Sequence, residues 1–266
     1  MSDLNTNPAA RYGGATRTAA EIDQGLRSYM LGVYKYMTIG LAITGLFALG
    51  IYMLSITSDA SAAAKTASGA AAAIARGQFL TPLGYTLFAT PLKWVVVLAP
   101  LALVFFLSFR VDKMSVGAGQ LTFWIYAALV GVSLATILMV YTHTSIARVF
   151  FISAASFGAL SLYGYTTKRD LSGMATFLVM GLIGVIIASI VNIWLASSMM
   201  QWIISIVGLL VFAGFTAYDT QDIKNMYDAN DDGTVSGRKS IMGALRLYLD
   251  FLNIFLFMLQ LLGNRE

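Results

Sequence analysis

Two aspartates stand in runs that are otherwise predominantly apolar: Asp219 closes Leu209-Leu-Val-Phe-Ala-Gly-Phe-Thr-Ala-Tyr-Asp219, and Asp250 lies within Leu245-Arg-Leu-Tyr-Leu-Asp250-Phe-Leu-Asn-Ile-Phe255. An ionised carboxylate at the centre of a bilayer costs about 2.5–3.5 kcal/mol on insertion scales, so an embedded acid marks a functional site and needs a partner. The nearest candidate partner of each is the other. Two carboxyl groups at hydrogen-bond distance in a low-dielectric site cannot both ionise cheaply, so they compete for one proton and titrate as a unit. With the proton, the pair is a cross-helix hydrogen bond. Without it, like charges push apart unless a cation comes between them, and carboxylate oxygens suit a hard cation such as calcium.

This chemistry requires a membrane, and composition supplies one: 58% of the 266 residues are hydrophobic, 11% are charged, and the mean hydropathy is +0.75. A helix needs roughly 20 mostly apolar residues to cross the hydrocarbon core. Seven such runs are separated by polar breaks, at about 29–54, 91–109, 117–141, 146–166, 173–196, 201–224 and 240–262. Backbone groups in lipid must be satisfied internally, and runs this long are about twice the length of a spanning strand. The expected fold is therefore an all-α integral membrane protein, a seven-transmembrane-helix bundle over 29–262. A polar tail at 1–28 precedes it, without the pattern of a removable signal peptide, and a short tail at 263–266 follows. Residues 55–90, rich in Ala and Ser, read as an outer-side insertion, partly helical, that leads into the second span.

Lys and Arg stay on the cytoplasmic side of a membrane. One set of loops holds Arg11, Arg17, Arg27, Arg110, Lys113, Lys168, Arg169, Lys224, Arg238 and Lys239; the other holds Lys65, Arg76, Lys93, Arg148 and Arg265. Ten against five puts the N-terminus in the cytosol and, after seven crossings, the C-terminus outside. The net charge of +4 follows from this bias and gives no reason to invoke nucleic acid. With no cysteine in the chain, disulfides, thiolate metal ligands and a cysteine nucleophile are all excluded.

The sixth and seventh runs are antiparallel neighbours. At 1.5 Å per residue, Asp250 lies about 15 Å below a helix start near Ser240 and Asp219 about 12 Å below an end near Tyr227, so the two can meet at one level. Arg246 complicates the pair. It stands one turn before Asp250, at the spacing that lets side chains meet, and can neutralise Asp250 within its own helix or snorkel to the interface. Tyr218, Asn192 and Asn253 are the polar residues that could line a path past the acids.

Three segments carry a resemblance: Phe157-Gly-Ala-Leu-Ser-Leu-Tyr-Gly-Tyr-Thr-Thr-Lys-Arg-Asp-Leu-Ser172, Phe215-Thr-Ala-Tyr-Asp-Thr-Gln-Asp-Ile-Lys224 and Leu247-Tyr-Leu-Asp-Phe-Leu-Asn-Ile-Phe255. From about Tyr29 to Gly263 the chain resembles the transmembrane Bax-inhibitor-motif family. The resemblance implies a seven-helix, multi-pass protein of a bacterial inner membrane that acts as a pH-sensitive calcium leak channel. Asp219 and Asp250 match that family's pH-sensing pair, and Arg110 best matches an arginine that latches it. No cofactor is implied beyond calcium as permeant or bound ion; the partners are the bilayer, protons and calcium.

Two other classes stay open. Some bacterial relatives are described as non-conducting regulators of a membrane partner such as a membrane-bound protease. The two aspartates also resemble the presenilin arrangement of an intramembrane aspartyl protease, although Tyr248-Leu249 replaces the glycine that should precede the second acid. A further signal is Asp228-Ala-Asn230-Asp-Asp232-Gly233, which fits positions one, three, five and six of an EF-hand loop; Lys239 stands where the bidentate Glu is needed, and a solvated turn fits equally. His143, the only histidine, has no second ligand type beside it, and Ser133 has no histidine to activate it.

Overall fold

The computed structural model describes residues 19–75 and 77–265; Arg11, Arg17, Arg76 and the first 18 residues of the expected tail lie outside the described residues. Among the described residues, seven helices are long and apolar enough to cross a membrane. They are α1 (Ala19–Ser55), α3 (Leu92–Arg110), α4 (Val116–Val140), α5 (His143–Thr166), α6 (Ala175–Leu195), α7 (Ser198–Asn225) and α8 (Gly233–Leu262). The all-α membrane bundle follows from the apolar runs, but several helices outrun them: α1 begins ten residues before residue 29 and α8 seven before residue 240. Hydropathy marks where lipid begins, whereas a helix continues into water wherever a cap holds it. Here Asp232 caps α8 by accepting from the N–H groups of Thr234 and Val235.

The segment expected as a partly helical insertion holds a small sheet and one short helix. Strands β1 (Ile56–Thr57), β2 (Ala73–Ala75) and β3 (Gln78–Leu80) pair antiparallel in the order β1-β3-β2, and only α2 (Pro82–Phe88) is helical. Alanine's helix preference is weak enough for tertiary pairing to override it, and Gly69 and Gly77, at φ +80° and +73°, make the reversals. This cap is tied to the end of α1: the Thr81 hydroxyl donates to the Leu54 carbonyl at 2.7 Å.

Helix α8 is the axis of the bundle, packing on α1, α4, α5 and α7, while α3 and α6 flank it through α4 and α7. Where α1, α4 and α8 cross, Tyr248 sits fully buried, with Phe123 and Tyr126 edge-on at 5.6 and 5.7 Å. Its hydroxyl meets that of Thr44 at 2.6 Å, and Thr44 in turn reaches the carbonyls of Gly40 and Ala127. Glycines let these helices approach. A Cβ at Gly131 would collide with the backbone of Thr44, and one at Gly164 with the carbonyl of Ala217.

The two ends of the bundle are distinct. On one, here the N-face, Arg238 Nε donates to Met114 O at 2.7 Å and Lys224 Nζ to Tyr165 O at 2.8 Å, which joins the α3–α4, α5–α6 and α7–α8 connections. On the other, the C-face, the chain's end bridges Tyr141 through Arg265 beside the α4–α5 turn. A methyl at Gly164 has nowhere to go. Gly164→Ala is expected to lower the thermal unfolding midpoint in detergent by an amount equivalent to about 1–3 kcal/mol. Gly184, which faces open space, should tolerate alanine or gain slightly from helix propensity. Equal losses at both positions would contradict this packing.

Candidate functional site

Asp219 and Asp250 face the α7–α8 interface, and both are buried, at 9% and 4% exposure. The interface is close where Gly243 of α8 lies against Ile223 of α7. The hydroxyls of Thr216 and Thr220 are turned to their own helix, donating to Phe212 O and Thr216 O at 2.8 and 2.7 Å. They leave the carboxylates unserved. Asp250 Oδ2 is buried with no hydrogen-bond partner. The two acids are near enough for the charge of one to bear on the other.

Arg246 does not neutralise Asp250 within α8. Its guanidinium crosses to α7, where NH1 donates to Asp222 Oδ2 at 2.6 Å and lies 3.9 Å from Asp219 Oδ1. Asp222 is a site residue that sequence reasoning missed, although the signal was present: it follows Asp219 by three, on one helix face. The side chains of Arg246 and Asp222 are about one-third exposed, at 36% and 33%, and that of Asp219 13%. Polarity therefore fades inward from the N-face: a hydrated ion pair, then Asp219, then the sealed Asp250. Tyr29 of α1, whose buried hydroxyl also lacks a partner, lies within electrostatic range of Asp222 and Arg246.

The remaining candidates are scattered. Arg110 ends α3, exposed, and α3 packs on α4 and α2 rather than on α7 or α8. Among the described residues it enters no ion pair with the acids. Asn192 closes the α6–α7 turn at the C-face, accepting from Ser197 N at 3.1 Å and donating to Gln201. That is about 27 Å from Asp219 along α7. Asn253 donates to Leu249 O of its own helix at 2.8 Å, and Tyr218 is half-buried beside Asp219. Ser133 spans from α4 to the Val96 carbonyl of α3, and His143 is exposed, with its ring edge-on to Tyr52.

The 228–239 loop spends its acids on itself. Asp228 accepts from Asn230 N at 2.8 Å, Asp232 caps α8, and Asp231 pairs with Lys239 at 2.6 Å. Asp, Asn and Gly spaced by two suit an Asx turn and an N-cap as well as a calcium loop. Among the described residues, no three His, Asp or Glu converge to hold a metal ion. What the site offers chemically is a proton acceptor that is starved of donors, beside a second acid and a tethered cation.

Residues 26–266 match the family model described as inhibitor of apoptosis-promoting Bax1. The chain is 44% identical to the uncharacterized protein RP147 of Rickettsia prowazekii over 246 residues, 92% of each chain. It is 43% identical to the inner membrane protein YbhL of Escherichia coli over 244 residues, covering 91% of this chain and 94% of that one. An uncharacterized protein of Caulobacter vibrioides is 37% identical over the full length of both.

The Arg246–Asp222 bond can be weighed by a double-mutant cycle of Arg246→Gln and Asp222→Asn. Both groups are partly hydrated, so a coupling of about 0.5–1 kcal/mol in unfolding free energy is expected. No coupling to Asp222, together with a strong one to Asp250, would mean that Arg246 serves its own helix instead.

Proposed function

The chain belongs to the Bax-inhibitor family of membrane proteins, and from that premise we propose that it is a proton-gated cation leak channel with Asp219 and Asp250 as the gate. The observation that carries this reading is the unpartnered carboxyl oxygen of Asp250, buried beside a second acid. A carboxylate there gains nothing for stability that an apolar side chain would not give more cheaply. It either holds a proton or draws in a cation.

With one proton shared, Asp219 and Asp250 carry a single negative charge between them, the Arg246–Asp222 bond is neutral, and the α7–α8 interface stays shut. Loss of the proton adds a negative charge that Arg246, already engaged with Asp222, meets only in part. A cation entering from the hydrated N-face then has two carboxylates to coordinate, and calcium, which takes carboxylate and carbonyl oxygens, is the ion of choice. The Lys and Arg bias of the loops supports a cytosolic N-face. The name of the relative YbhL, an inner membrane protein, supports a bacterial inner membrane. On this reading the chain catalyses no reaction, needs no cofactor and works with the bilayer, protons and calcium alone.

Calcium flux from vesicles carrying the purified chain should change with pH across the neutral range. Asp219→Asn or Asp250→Asn should make it flat, while costing no more than about 1 kcal/mol of stability, because polar contacts within membranes are individually small. PH dependence that survives in both variants would remove the gate. A chain that passes no ion at any pH would favour a non-conducting regulator of another membrane protein.

A further inference from the structure

Along their N-face halves α1 and α5 barely touch, and a cavity of about 730 Å³ opens between them toward the bilayer. Arg27, Met30, Leu31 and Tyr34 line it from α1; from α5 come Phe157, Gly158, Ser161, Leu162 and Tyr165. Residues 27, 30, 31 and 34 form one helical stripe, so the groove runs inward about 10 Å from Arg27 at its mouth. Its floor is a chain of hydroxyls, Tyr34 to Ser161 at 2.6 Å and Ser161 to Thr220 at 3.0 Å, which ends on the Thr216 carbonyl. The hydroxyls of Tyr34, Ser161 and Thr220 are all satisfied. The floor thus presents no unmet polar atom, and Met30, Leu31, Phe157 and Leu162 make the walls apolar.

The mouth is cationic. Arg27 is exposed and, among the described residues, enters no ion pair, even with Asp23 one turn before it. Lys168 and Arg169, both exposed, lie in the α5–α6 connection on the same face. The acid of that connection, Asp170, is exposed but accepts from Ser172 N at 2.9 Å; this bond holds its carboxyl below the usual range.

We infer that the α1–α5 groove is a binding site for an anionic glycerophospholipid, its acyl chain against Leu31, Phe157 and Leu162 and its phosphate at Arg27. An apolar groove at the edge of the hydrocarbon does not stay empty, because its walls would forfeit their dispersion contacts. The material at hand is lipid, and the unpaired guanidinium at headgroup level selects negative charge. The inference is independent of whether the chain conducts.

The absence of cysteine makes the test direct, since one introduced thiol is the sole labelling site. The full chain carrying Leu162→Cys, fluorescently labelled, is reconstituted with phosphatidylglycerol or phosphatidylcholine bearing a nitroxide on the acyl chain. Met180→Cys on α6 serves as reference at similar depth; both positions are well exposed, at 63% and 66%. The anionic lipid should quench the Leu162 label about fivefold more effectively than the neutral one, the ratio one arginine near an anionic headgroup provides. It should show no such preference at Met180. Arg27→Gln should bring the Leu162 ratio to parity and Arg27→Lys should retain most of it. Parity in the chain with Arg27 intact would overturn the site, as would a preference that Arg27→Gln leaves unchanged. Quenching by neither lipid, which would mean that protein covers the groove, would overturn it too.

Discussion

A carboxyl group sealed between two helices in hydrocarbon must be neutral, paired or compensated at once, and Asp250 is neither hydrogen-bonded at Oδ2 nor ion-paired. Much of the surrounding architecture answers to that constraint. The close approach of α7 and α8, made possible by Gly243 against Ile223, excludes the water that would otherwise hydrate the acid. It also brings Asp219 near enough that the charge of one bears on the other. Arg246 supplies the compensation from a distance. Its side chain spends its hydrogen bond on Asp222, closer to the N-face, so that positive charge is nearby without sitting on Asp250.

That arrangement needs a rigid backdrop, and the crossing of α1, α4 and α8 provides one. Tyr248 packs under Phe123 and Tyr126, and its hydroxyl is held by Thr44, which leaves no freedom of rotation in the turn of α8 just before Asp250. Asp250 follows Tyr248 by two positions, so the fixed tyrosine points to the α1–α4 side while the aspartate turns toward α7. The fold thus uses one helix to build a packed node and a buried polar site on different faces of the same turn.

How much of this was legible in the chain depends on which physical rule writes each feature. Lipid forces long apolar runs and punishes charge, so the seven spans and the two embedded acids stand out from composition alone. The insertion did not, because Ala and Ser pack as strand or helix according to what they meet, and here they meet β3 and the end of α1. The sequence shows Arg246 as a complication for the pair, within reach of Asp250 or of the interface, but not its bond to Asp222. A long side chain reaches the next helix as readily, and nothing in its local spacing says which way it turns. Asp222 was overlooked for the matching reason, since a helix-end acid reads as solvated until the arginine across from it is located. The half EF-hand shows the opposite error of pattern: short acids spaced by two are what a turn and a helix cap require too.

The site is asymmetric along the membrane normal, and that asymmetry bears on any mechanism. On the N-face side, exposure falls stepwise from the Arg246–Asp222 pair through Asp219 to Asp250. On the C-face side the next layer is aromatic: Phe251 and Phe255 stand around Phe150, with Phe157 edge-on to Phe251. Beyond this layer there is slack, for Leu41, Thr44, Ile146 and Phe255 help line a cavity of about 300 Å³. On the proposed reading, a cation that reached the acids would have to cross this phenyl layer to leave toward the C-face. Opening, on the same proposed reading, is a movement of α8 against α1 and α5, where the cavity gives aromatic rings room to turn, and not merely a change of charge. Because Asp250 and Phe251 are consecutive on α8, a shift of that helix that relieves repulsion at the acid also displaces a ring of the phenyl layer. Charge and seal are linked through one peptide bond.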